Sequence, residues 1–203
     1  MKKINENVVI EQWYPTFIGY CDYSNHKKIE KSLIKECFLI QKNIKSGGKN
    51  WISNKTYNTL DTYNILENKK FYQLNNWIFN KILEYANNLK YKDKYKCSEG
   101  WFNIYKKYDY QEYHDHPIST FSAVYFLKSD QEKSSKIYFK FNNTTNPMEP
   151  ASDPSFKLSY KTVFYNPIPG RLLIFPSTLK HCVERHEYSE KRISLAYNFI
   201  KTI

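Results

Sequence analysis

The chain has 203 residues, with 31 Lys+Arg against 20 Asp+Glu, a formal net charge of +11. That length can bury a real core, and a content of 41% hydrophobic and 18% aromatic residues excludes an intrinsically disordered chain. No run approaches the ~18 apolar residues of a membrane helix, and the first residues, Met1 to Asn7, are polar where a secretory signal is apolar, so a cytoplasmic location is expected.

The charge invites an acidic macromolecular partner. It is spread as lysine pairs rather than gathered in a block, and only three of the 31 basic residues are arginine: Arg171, Arg185 and Arg192. With 20 Asn and 19 Tyr against four Ala, the composition looks like coding bias from an AT-rich genome. A nucleic-acid partner is therefore not expected, and each of the few arginines needs a reason of its own. The four cysteines (Cys21, Cys37, Cys97, Cys182) lack zinc-like spacing and read as free thiols.

Residues 27–45 place Ile29, Leu33, Cys37 and Ile40 on one stripe, and residues 68–89 do the same with Phe71, Leu74, Ile78, Ile82 and Tyr85. These spacings predict two helices laid against a core. Between them, Ser46 to Trp51 reads as a loop with an aromatic anchor. From about residue 97 the period changes to two, and strands are expected at Trp101–Tyr105, Thr120–Leu127, Lys136–Phe141, Arg171–Phe175 and Lys191–Ile200. The proline-bearing stretch Asn142–Ser159 reads as a long loop, a natural lid. Helices followed by strands point to a mainly β jelly roll of seven or eight strands. We read one domain over 1–203, with a helical support region at 1–96 and a β core at 97–203.

Four of the five histidines fall in the strand half. In Tyr113-His114-Asp115-His116-Pro117, an extended backbone sends His114 and His116 to one face and Asp115 to the other. Such a pair can ligate a metal, though on its own it more often marks solvated or core histidines. His181 follows the apolar run Arg171–Pro176, and Arg192 and Ser194 share a face of the last strand. A turn near residue 188 would make these two strands a hairpin, with Arg192 about 10 Å along it from His181 at ~3.3 Å per residue. His186 is expected near that turn and exposed, and His26 lies outside the pattern.

The ordered set His114-x-His116-Pro117, Ser122-Ala123-x-Tyr125-Phe126, Leu173-x-Phe175-Pro176-Ser177, His181 and Arg192-x-Ser194-x-x-x-Asn198 resembles the 2-oxoglutarate/Fe(II)-dependent oxygenases. More narrowly it is similar to a group of such oxygenases in bacteriophages and marine bacteria, whose Trp-x-Asn-x-Tyr strand is matched by Trp101, Asn103 and Tyr105. For a phage-encoded member, the cytoplasm would be that of the host. The resemblance implies a double-stranded β-helix (jelly roll, cupin-like) packed against N-terminal helices. It implies Fe(II) held by His114 and His181, with 2-oxoglutarate and O2 as cosubstrates and succinate and CO2 as products of a hydroxylation. The superfamily's third ligand is usually a carboxylate in the slot that His116 occupies here. Strand parity favours His116, and Asp115 through a distorted turn is the alternative. Arg192 and Ser194 match the pair that binds the cosubstrate's distal carboxylate, with Tyr105 and Tyr125 as further candidates. The primary substrate is not legible. Two other readings stand beside this one: a cupin-like three-histidine metal enzyme without 2-oxoglutarate, and a metal-free jelly-roll binding or virion module.

Overall fold

A computed structural model describes residues 16–141, 153, 155 and 160–202. Strand β1 (Gly19–Asp22) leads into helix α1 (His26–Asn43), and a loop with the short strand β2 (Tyr57–Asn58) and two 3-10 turns leads into helix α2 (Tyr72–Asn88). The rest is strands: β3 (Lys94–Tyr105), β4 (Gln111–His114), β5 (Phe121–Lys128), β6 (Ile137–Lys140), β7 (Thr162–Tyr165), β8 (Arg171–Pro176), β9 (Lys180–Val183) and β10 (Arg192–Thr202).

These form a six-stranded sheet in the order β1-β8-β5-β10-β3-β2 and a four-stranded sheet in the order β4-β9-β6-β7, with every pairing antiparallel. This is the expected jelly roll with flanking helices. The helices form where the apolar stripe predicts, because Leu74, Ile78 and Ile82 of α2 and Leu33 and Cys37 of α1 reach the core fully buried. They cover one face of the large sheet, meeting Phe102, Ile104, Leu195 and Phe199. The opposite face packs Val124, Phe126, Leu173 and Phe175 against Ile137 and Phe139 of the small sheet. Strand β5, central and covered on both sides, therefore reads as an almost unbroken apolar run instead of alternating.

The backbone makes one demand that side chains enforce. Gly170 sits at φ +87°, and a Cβ there would come within 2.9 Å of the His26 ring. Only glycine fits this turn, because it must take a left-handed conformation against a buried neighbour.

The expected hairpin does not form. Strand β8 pairs with β1 and β5, and β10 pairs with β5 and β3. Between them the chain crosses to the small sheet as β9 before returning, which is how a jelly roll puts consecutive strands in opposite sheets. His186 is also not exposed. It is fully buried, with Nδ1 taking the Ser135 N–H at 3.1 Å and Nε2 facing the Glu190 carbonyl at 2.7 Å. Five strands went unread: β1, β2, β4, β7 and β9, each only two to four residues long. The lid reading of 142–159 lies outside the described residues, apart from Asp153 and Ser155. Among the described residues the four cysteines are unpaired, and no helix is long and apolar enough to cross a membrane.

Candidate metal centre

Strands β4 and β9 are neighbours in the small sheet, and their register sets His114 directly opposite His181. Two residues past His114, the chain is held by a hydrogen bond from the His116 amide to the Ser177 carbonyl at 2.8 Å, and the third imidazole turns toward the same point. The donor atoms of His114, His116 and His181 all lie within 4.8 Å of one another, close enough to share one ion. Asp115 is outside this group, and no carboxylate belongs to it among the described residues.

The imidazoles are prepared as ligands. His114 Nδ1 lies 2.8 Å from the Glu112 carbonyl and His181 Nδ1 lies 2.9 Å from the Leu179 carbonyl. A carbonyl only accepts, so each Nδ1 carries the proton and each Nε2 keeps its lone pair for a metal. Burial, reinforced by the neighbouring His114, pushes the His116 pKa down to about 4. Burial and the same neighbour hold His181 well below its ordinary value, and burial also lowers His114. At neutral pH all three rings are uncharged, as coordination requires.

Across the cleft, on the large sheet, β10 presents Arg192 and Ser194, with Arg192 opposite Tyr105 of β3. Arg192 is fully buried, and its guanidinium lies 4.7 Å from the Tyr105 ring and 5.3 Å from that of Phe126. Nη1 donates to Ser194 Oγ at a long 3.4 Å, while Nε and Nη2 have no hydrogen-bond partner among the described residues. Desolvation lowers its pKa, and the adjacent Tyr105 hydroxyl opposes the shift. An unpaired buried cation is expensive, and two free parallel donors match the two oxygens of a carboxylate. Beside it, Ser122 Oγ bonds both Ser177 Oγ (2.9 Å) and Asn198 Oδ1 (2.7 Å), and Asn198 Nδ2 donates to Glu99 (2.6 Å). The cleft between the sheets is narrow, with about 30 Å³ of free space.

Most of the residues singled out from the sequence thus line one cleft: His114, His116, His181, Arg192, Ser194 and Tyr105. Tyr125 does not. By strand parity it faces the helices, where its hydroxyl meets His26 Nδ1 at 2.8 Å. The five aromatic and apolar neighbours that make it look like its strand-mates in sequence carry no sign of which face it takes. Reasoning from sequence also missed Trp51 as a wall of the cleft, its ring 4.9 Å from that of His114. On the other side Trp101 stands 5.7 Å from His116.

Residues 99–198 match the family described as "Putative 2OG-Fe(II) oxygenase". This match spans the strand half of the chain and nearly half of its whole length. Solved structures agree in fold across nearly the whole chain. A prolyl-4-hydroxylase from Pseudomonas putida superposes with a TM-score of 0.64 at 13% identity, covering 93% of this chain and 94% of its own. The viral collagen prolyl hydroxylase of Paramecium bursaria Chlorella virus-1, solved with 2OG, gives 0.58 at 16% identity, covering 92% and 96%. HygX from Streptomyces hygroscopicus, solved with nickel, 2-oxoglutarate and hygromycin B, gives 0.59 at 12% identity, covering 93% and 84%. No curated protein sequence matches the chain. The family match and the histidine cluster together support a metal-dependent oxidoreductase in general terms. The cluster departs from the superfamily's usual two-histidine, one-carboxylate triad by being all histidine.

Proposed function

We propose that the chain is an Fe(II)- and 2-oxoglutarate-dependent dioxygenase, a hydroxylase that releases succinate and CO2. His114, His116 and His181 would hold the iron, and Arg192 with Ser194 would clamp the distal carboxylate of the cosubstrate. The His-x-His spacing keeps it with the phage and marine-bacterial group that its sequence resembles. The observation that carries this reading is Arg192: a fully buried guanidinium whose Nε and Nη2 have no hydrogen-bond partner among the described residues, facing the same cleft as three neutral imidazoles. A metal alone leaves that cation unexplained, whereas a small dicarboxylate answers it. When bound, Fe(II) would supply the O2-dependent decarboxylation of 2-oxoglutarate and the oxidation of a C–H bond.

The protein's own residues bind, orient and keep water out. Arg192 neutralises the carboxylate, and Ser194 adds a third hydrogen bond. Tyr105 and Phe126 sandwich the guanidinium, so that it stays aimed into the cleft. The carbonyls of Glu112 and Leu179 fix the tautomers of two ligands.

The second reading is a three-histidine metal enzyme that uses no 2-oxoglutarate. The donor set favours it, because three imidazoles carry no negative charge and match that chemistry better than the usual triad. One experiment separates the two: titrating 2-oxoglutarate into Mn(II)-loaded protein by calorimetry, followed by an aerobic succinate-release assay with Fe(II). Micromolar binding and succinate release support the dioxygenase. Metal binding without any response to 2-oxoglutarate refutes it in favour of the second reading. A metal-free binding module would show neither response.

A further inference from the structure

Glu112 stands two residues before His114 on β4, and its main chain and side chain do different things. The main-chain carbonyl accepts from His114 Nδ1. The carboxylate instead accepts the Ile52 amide at 2.8 Å, the Ser53 amide at 3.2 Å and Gln111 Nε2 at 2.9 Å. A second stitch, from Thr56 Oγ1 to the Tyr110 carbonyl at 2.7 Å, fastens the other end of the same loop segment. This segment has no helix or strand of its own until β2, and Ile52 is 78% exposed, so apolar burial does not anchor its tip. Hydrogen bonds to a strand some 60 residues away do. The residue they deliver is Trp51, set against His114 in the wall of the cleft.

We propose that Glu112 is a positioning residue whose carboxylate, by gripping the Ile52 and Ser53 amides, holds the Trp51 indole as the wall of the cleft beside His114. The inference rests on reading the cleft as a metal site. Charge-assisted bonds to two successive backbone amides fix a loop in a way that neutral contacts at an exposed tip do not. Because His114 is oriented by a main-chain carbonyl, shortening the Glu112 side chain frees the wall and leaves the ligand in place. Wall and ligand are therefore separable by one substitution.

The test uses the full chain with Glu112→Ala and Glu112→Gln, each also combined with Trp51→Phe, so that the Trp51 emission is obtained by difference. In the metal-free protein, acrylamide quenching of Trp51 is expected to rise about twofold or more in Glu112→Ala, as local opening exposes the indole. Glu112→Gln, which keeps one accepting oxygen at the same reach, is expected to rise less. Mn(II) affinity by calorimetry is expected to fall by the same factor in both, because both remove the carboxylate charge that acts on His114. Unchanged quenching in Glu112→Ala overturns the proposal, and so does a Mn(II) affinity that falls several-fold further in a folded Glu112→Ala than in Glu112→Gln, which would make the side chain a support of the ligand. If the unsubstituted protein binds no Mn(II), the metal reading fails while the quenching comparison still decides the role of Glu112.

Discussion

Along β10 the two faces of the six-stranded sheet are equally dry and chemically opposite. The side chains alternate: Ile193, Leu195 and Phe199 enter the helix-covered core, while Arg192, Ser194 and Asn198 turn to the cleft. Leu195 and Arg192 are both fully buried. The apolar face loses nothing by leaving water, since burial itself is the driving force. The polar stripe gives up hydration and recovers only part of it, with Arg192 left two donors short among the described residues. On this strand one face holds the fold together, and the other carries a cost that a ligand would remove.

The strongest way to break this contrast is at the small sheet. His181→Ala removes a buried donor whose ring lies 4.2 Å from that of His114 and 5.4 Å from that of His116. Mn(II) or Fe(II) binding by calorimetry is expected to vanish while the far-ultraviolet circular dichroism is kept. Retained metal affinity would dismantle the site. Next comes a matched pair on β10. Leu195→Ala opens a cavity in the helix-covered core and is expected to cost about 2–5 kcal/mol in urea unfolding. Arg192→Met, three residues away on the opposite face, removes an unpaired buried charge and is expected to leave the ligand-free Tm unchanged or higher. The same variant should weaken 2-oxoglutarate about a hundredfold, the scale of losing one partner of a buried charged contact. A drop in ligand-free Tm comparable to that of Leu195→Ala would show that Arg192 supports the fold and not a ligand.

Those faces were readable in advance to an uneven degree. The period of two placed Arg192 with Ser194, and parity placed His114 with His116, because both arguments concern residues two apart in one extended segment. Tyr125 failed because β5 is covered on both sides, and its run Phe121 to Leu127 offers no alternation from which to choose a face. The β8–β10 hairpin failed for a related reason: β9 is four residues long and carries His181 in register with His114, yet so short a strand leaves no periodic signal. Trp51 was invisible as a cleft residue because its placement depends on Glu112, far along the chain. His186 gave no sign of burial, since loop carbonyls and amides supply its partners.

A smaller effect comes from acid. The unfolded chain takes up a proton on His116 near its ordinary value of 6.5, whereas the folded chain resists until about pH 4. Below 6.5 the unfolded state therefore binds more protons, and stability is lost as the pH falls between those two values. The metal-free Tm is expected to decline over that interval, and His116→Asn should decline less steeply. Equal slopes for the two proteins would mean that the ring is not buried neutral.

The smallest effect belongs to the arginine that mirrors Arg192 in wiring and differs in setting. Arg171 Nε and Nη2 bond both oxygens of Asp22, at 2.8 and 2.9 Å, and its guanidinium lies 4.7 Å from the Tyr20 ring. The geometry is the bidentate fork that Arg192 lacks a partner for, and the hydrogen bond from Arg171 holds the Asp22 carboxyl below its usual range. Asp22 is 59% exposed, however, so water and salt compete for the pair. A double-mutant cycle of Arg171→Ala with Asp22→Ala is expected to give less than about 1 kcal/mol, shrinking further in high salt. A coupling of several kcal/mol that survives salt would mean that geometry outweighs burial, and Arg192 would then owe its importance to its fork and not to its dry surroundings.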